Sequence, residues 1–251
     1  MFTLMYPQLI DKHVEIKQTG YDLMLALDLS ESMNTPDFYT SQNQEISRFD
    51  AVKYVITPFV EKRAGDRLGL ILFADQAYLQ APLTLDNQAV NVLIKRAMLG
   101  MAGQKTAIGD AIGLAVKKLR DRPESSRVLI LLTDGENTAG KLDPIKAAEL
   151  ASQYKIQIYT IGIGSADNFG RGFDEKTLKQ IANLTHGQYF PATSLDALAQ
   201  VYQHIDITLK KTEAESRVYV QRTPLYHYPL LVAMTALLLL QLLHIYVRDP
   251  A

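Results

Sequence analysis

Along most of the chain, short apolar runs alternate with longer stretches of helical spacing. The runs at 22–28, 67–74, 127–133 and 156–162 have the length and continuity of strands covered on both faces. A shorter run at 187–190 reads as a last strand, and 77–80, reached through an Asp75-Gln76 turn, as an antiparallel edge strand. Between them, 48–63 places Phe49, Val52, Val55, Ile56 and Phe59 on one helical face, with Pro58 predicting a local irregularity. Further helices are expected at 86–99, 107–119, 144–154, 174–184 and 194–209, opened by Asp86, Asp174 and Ser194 caps and by Pro144 in a first turn. Strands alternating with amphipathic helices predict an α/β fold, a doubly wound and mostly parallel sheet with one antiparallel edge strand.

The pattern changes towards the end. Residues 229–247 carry no formal charge if His244 is neutral. At helical rise they reach about 28 Å, close to the thickness of a bilayer's hydrocarbon core. Tyr226 and Tyr228 stand at one end and Tyr246 at the other, where interfacial aromatics belong. A transmembrane helix over 229–247 is expected, after a lead-in at 1–20, a domain at 21–210 and a juxtamembrane segment at 211–228. The first twenty residues show no apolar stretch of signal-peptide length.

With 251 residues and a net charge of -1, nothing in the composition points to nucleic acid. There is no Cys, which excludes disulfides and thiolate metal sites.

The candidate chemistry lies at strand ends. Asp28, Ser30 and Ser32 follow the first strand at alternate positions; Thr106 stands at the entry to a helix; Asp134 ends the 127–133 run and precedes Gly135. In an open parallel sheet, ligands gather outside the carboxyl ends of the strands. Carboxylates with hydroxyls are hard oxygen donors, suited to Mg²⁺ or Mn²⁺ and poor for Zn²⁺. Each residue also has a plainer reading. Asp28 alone could be a cap or turn former, and Thr106 an N-cap. Asp110 is read as structural. Gly162-Ile-Gly164 lacks the third glycine of a dinucleotide loop, and Lys105-Thr106 lacks the glycines of a phosphate loop. A serine hydrolase would need a base from His13, His186, His204, His227 or His244, none of which carries a supporting motif.

Asp28-Leu-Ser30-Glu-Ser32, Thr106 and Asp134, in that order, resemble the metal-ion-dependent adhesion site of von Willebrand factor A domains. Further stretches, among them Gly65-Asp-Arg-Leu-Gly-Leu-Ile-Leu-Phe, Thr106-Ala-Ile-Gly-Asp and Ile130-Leu-Leu-Thr-Asp-Gly-Glu-Asn-Thr, look like the Bat-type (aerotolerance) bacterial membrane proteins. Glu31 stands where many members have Gly. The resemblance implies a metal-dependent protein-binding module rather than an enzyme. Its Mg²⁺ or Mn²⁺ would be held by Asp28, Ser30, Ser32, Thr106 and Asp134 and would take an Asp or Glu from a protein partner. It also implies a place in the bacterial inner membrane, in assembly or chaperone-like complexes with a MoxR-type AAA+ ATPase and other von Willebrand factor A proteins. Members usually carry membrane segments before the domain, whereas 1–20 shows none. Family likeness puts the domain in the periplasm. Lys210, Lys211, Arg217 and Arg222 before the helix, against Arg248 after it, put it in the cytoplasm. Two other readings stay open: a structural scaffold acting through the membrane helix, and metal-assisted hydrolysis.

Overall fold

The computed structural model describes residues 8–11, 20–164, 174–215, 221–224 and 227–248, with side chains described for 20–164, 174–209, 228 and 230–241. The chain divides into two units, one of residues 18–209 and the other of residues 1–17 with 210–251.

In the second unit, β1 (Gln8–Asp11) pairs antiparallel with β10 (Gln221–Pro224). Both strands fall where the sequence suggested only a lead-in and an extended juxtamembrane stretch. Helix α7 (His227–Arg248) covers residues 229–247, where the sequence suggests a membrane span. Part of that stretch, 229 and 242–247, has side chains outside the described residues. Among the described residues no helix is long and apolar enough to cross a membrane.

The larger unit begins with β2 (Asp22–Asp28) and a 3-10 turn, Glu31–Asn34. The next stretch, expected as a plain loop, contains a small hairpin of β3 (Phe38–Tyr39) and β4 (Glu45–Ile46). It is pinned by Phe38, which is buried. Then follow α1 (Arg48–Glu61), β5 (Arg67–Phe73), β6 (Ala77–Thr84), α2 (Asn87–Arg96), α3 (Ile108–Leu119), β7 (Arg127–Thr133), α4 (Pro144–Gln153), β8 (Gln157–Ile163), α5 (Glu175–Leu184), β9 (Tyr189–Ala192) and α6 (Leu195–Glu215). The sheet order is β6-β5-β2-β7-β8-β9, parallel except for β6. The edge strand runs four residues beyond the expected 77–80. It carries Pro82, a residue that sheets accept at an edge, and its register shifts near Gly69.

Strand β2 shows why both faces must be covered. Leu23, Leu25 and Leu27 belong to one core with Val52, Ile56, Ile94 and Ile205. Met24 and Ala26 belong to the other with Ile112, Ala115, Ala148 and Ile181. Period-two alternation splits one apolar run between two helical layers.

Helix starts follow local chemistry. Ser47, Asp86 and Asp174 accept backbone N–H bonds from Asp50, Ala89 and Thr177, and Ser194 accepts one from Ala197. Helix α1 continues through Pro58 to Glu61. At α3 the plainer reading of Thr106 as an N-cap is not realised. The Oδ1 of Asn137, from the loop after β7, accepts the N–H groups of Ile108 and Gly109 at 2.8 and 3.4 Å. Asp110 is structural, as expected: its carboxylate accepts the N–H groups of Lys141 and Leu142 and fixes the chain entering α4.

Candidate metal centre

Strands β2 and β7 are parallel neighbours, in register up to Leu27 beside Leu132. The next residue on each, Asp28 and Thr133, therefore lie side by side. Thr133 Oγ1 donates to Asp28 Oδ2 at 2.6 Å, and the Ser30 N–H donates to Asp28 Oδ1 at 2.8 Å. From there the hydroxyls form a chain. Ser30 Oγ lies 3.0 Å from Ser32 Oγ, and Ser32 Oγ donates to Asp134 Oδ1 at 2.8 Å.

Thr106 arrives from the third segment. Its loop is joined to the one after β7: the Thr106 N–H donates to Thr138 Oγ1, and the Thr106 carbonyl accepts the N–H groups of Thr138 and Ala139. A methyl group built on Gly135 would lie 3.9 Å from Ser32 Oγ and 4.0 Å from Thr106 Oγ1. Both hydroxyls thus overlook the notch left by Gly135. All five predicted residues meet at the carboxyl end of the central strands. Ser32 is exposed, whereas Asp28, Ser30, Thr106 and Asp134 are buried.

The sequence reading missed two residues of this cluster. Thr133, wholly buried, has only the signal of a strand residue in the sequence. Arg48 has only that of the opening of α1. Its Nη1 donates to Asp134 Oδ2 at 2.8 Å, while Nε and Nη2 hold Asp37 at 2.6–3.1 Å. A cation at a helix N-terminus opposes the helix dipole. That misfit was the one available sign that Arg48 serves something other than its helix.

The electrostatics are those of crowded carboxylates. Burial, with the Asp134 charge nearby, pushes the Asp28 carboxyl up to about 7, against bonds from Thr133 and Ser30 that favour ionisation. Burial also raises Asp134, with Ser32 and Arg48 pulling the other way. For Arg48, burial works against the charge, but its bonds to Asp37 and Asp134 outweigh that and raise its pKa.

A pH effect follows. The unfolded chain loses the Asp28 proton near 3.8, while the metal-free folded chain keeps it to about 7. The folded state binds more protons in that interval, so stability falls as pH rises through it. Urea unfolding in EDTA should show a loss on the order of 4 kcal/mol from this group between pH 4 and 7. Asp28→Asn should remove most of the slope; an equal slope in wild type and variant would refute the assignment.

The donor set fits a hard divalent cation: two buried carboxylates and three hydroxyls, all oxygen, at one end of the central strands. Among the described residues no group of three or more His, Cys, Asp or Glu is placed to hold a metal. Any cation here therefore depends on the Ser and Thr hydroxyls. Of the histidines named for a hydrolase reading, the two with described side chains lie elsewhere. His186 precedes β9, at the opposite, amino-terminal end of the strands. His204 packs edge-on against Phe190 with ring centroids 5.5 Å apart. The side chains of His13, His227 and His244 lie outside the described residues. Another buried carboxylate, Asp22, also sits at the amino end, bound by Arg67 and Ser126.

Comparisons with known proteins agree with the fold. A UPF0353 protein of Mycobacterium sp. (strain KMS) is 27% identical over 219 residues, covering 77% of this chain and 62% of the relative. The chain thus spans about six tenths of that relative's length. An aerotolerance-related membrane protein from Bacteroides fragilis is 26% identical with a TM-score of 0.65, covering 76% of this chain and 100% of that one. Proximal thread matrix protein 1 from the mussel byssus, solved with zinc in its MIDAS motif, shares the fold at 23% identity and a TM-score of 0.60, over 86% of this chain and 49% of that one. The family model of the von Willebrand factor type A domain matches residues 22–204, the stretch that builds the sheet and brings the strand-end cluster together, and the chain belongs to that family.

Proposed function

We propose that the chain is a membrane-anchored, metal-dependent protein-binding module that takes an acidic side chain from a partner protein. The observation that carries this reading is the gathering of Asp28, Ser30, Ser32 and Asp134 by hydrogen bonds at the strand ends, with the Ser32 and Thr106 hydroxyls both beside Gly135. In this reading Ser30, Ser32 and Thr106 hold Mg²⁺ or Mn²⁺, with Asp28 and Asp134 bound to it directly or through water. The bound cation supplies a Lewis-acidic position open to a partner Asp or Glu. The mussel protein's zinc makes Zn²⁺ a third metal to compare. The family likeness favours binding over hydrolysis, and neither of the described histidines, His186 and His204, is bonded to the hydroxyls.

Helix α7 supports the anchor. Leu230, Leu231, Val232, Met234 and Leu237 to Leu240 are all exposed, and a helix apolar on every side suits lipid. The Bacteroides relative is itself a membrane protein. The family likeness suggests other von Willebrand factor A membrane proteins and a MoxR-type ATPase as partners. A scaffold acting through α7 alone is the second reading, favoured by the same exposed leucines.

Capture of partners from detergent-solubilised bacterial membranes separates the two. Thr106→Val removes one hydroxyl but leaves the backbone bonds of that loop intact. Partners held by the wild type in Mg²⁺ should be lost in EDTA, and at least about tenfold depleted on Thr106→Val. The same partners in all lanes would transfer the function to α7.

A further inference from the structure

Arg48 presents a cation to a cluster read as a cation site. It is 7% exposed and opens α1, where the helix dipole disfavours positive charge. Its backbone N–H donates to the Thr35 carbonyl, and Thr35 is bonded through both N–H and Oγ1 to the Ser32 carbonyl. Arg48 is thus held against the loop of Ser30 and Ser32 by main chain as well as side chain. Its guanidinium divides between Asp37, ahead of the hairpin, and Asp134, whose side chain is fully buried.

We propose that Arg48 is a resident counter-charge of the metal centre: it holds Asp134 in place when no cation is bound and keeps the affinity of the centre for a free divalent cation low. This rests on the reading of the cluster as a cation site. Two effects act in the same direction. Guanidinium cannot shed its proton, so an arriving cation meets a fixed positive charge within the same cluster. The guanidinium also stabilises the metal-free state, because Asp134 without it is a buried carboxylate lacking a cationic partner. Removing the charge therefore raises the free energy of the metal-free state and lowers that of the metal-bound state. The biological consequence is selectivity. A centre kept weak for the bare cation fills best when a partner carboxylate adds its own negative charge, so cation and partner bind cooperatively.

The test is a Mn²⁺ titration of the full chain, with free Mn²⁺ followed by electron paramagnetic resonance, for wild type, Arg48→Gln and Arg48→Lys. Arg48→Gln should bind Mn²⁺ at least about tenfold more tightly than wild type. Arg48→Lys, which keeps the charge, should stay within about threefold of wild type. An arginine serving only to build the fold predicts the reverse, with weaker Mn²⁺ binding in both variants. If Arg48→Gln lacks a cooperative urea transition in EDTA, millimolar Mn²⁺ should restore one; a variant that stays unfolded in Mn²⁺ overturns the proposal. Binding by wild type with equal or weaker binding by a folded Arg48→Gln overturns this inference alone. No binding by either overturns the cation site as well.

Discussion

Asp28→Asn is expected to reduce Mn²⁺ affinity at least about a hundredfold while leaving the domain folded. The argument weighs two effects of one side chain. The carboxylate lies at the end of the central strand, wholly buried, within a cluster that shares one notch with Ser32 and Thr106. Its charge is a large part of what a divalent cation would find there, and even outer-shell partners of metals can be worth up to about a hundredfold. The fold depends on Asp28 much less. It accepts two hydrogen bonds, from the Ser30 N–H and from Thr133 Oγ1. Asparagine keeps one oxygen for these donors, so the loss is about 1–3 kcal/mol at most. Against that, the substitution removes a carboxylate that burial and Asp134 already disfavour as an anion. At neutral pH without metal the two terms nearly offset. Calorimetric Mn²⁺ titration and urea unfolding in EDTA check the two halves separately. Undiminished Mn²⁺ binding by a folded variant would remove Asp28 from the metal centre.

Gly109→Ala should destabilise the domain by about 3 kcal/mol, the upper range for overpacking. In an isolated helix the same change stabilises by up to about 1 kcal/mol. Here a methyl group would lie 1.8 Å from the Leu142 carbonyl oxygen and 2.7 Å from its carbon. That carbonyl has little freedom to retreat, because Asp110 holds the N–H groups of Lys141 and Leu142. Gly113, one turn later in the same helix, is the control. Its methyl group would meet Leu142 Cδ2 at 2.9 Å, the end of a side chain that can rotate away. Gly113→Ala should therefore cost under about 1 kcal/mol. Equal urea midpoints for the two variants would mean that α3 and the chain entering α4 do not approach so closely. Because Thr106 leads into α3, Gly109→Ala should also weaken Mn²⁺ binding.

Much of this protein was legible from local pattern. Apolar runs of strand length, alternating with helical spacing and punctuated by Asp, Ser and Pro at helix starts, led to the sheet, its antiparallel edge and six helices. The residues proposed for the metal centre were legible as candidates because each stands at a boundary between elements, where a polar side chain has a role other than packing. Their order also matched a known family.

What escaped the sequence reading was decided by pairings distant along the chain. The Asp28–Thr133 bond exists because β2 and β7 lie in register, although their residues are far apart in sequence. Asn137, not Thr106, caps α3, because the loop after β7 folds back over the helix start. The hairpin at Phe38 closes because its apolar side chain finds the core, a gain no local window displays.

Arg48 shows the division most clearly. Sequence alone determined that it begins a helix, from the apolar spacing that follows it; the structure adds the Ser47 cap. Only the tertiary structure decided that it binds Asp134, because an ion pair requires two charges within a few ångströms and only chain folding supplies that distance. Periodicity determines which face of an element is buried; the identity of the neighbours on that face, and hence the electrostatics of the site, is set when the elements pack.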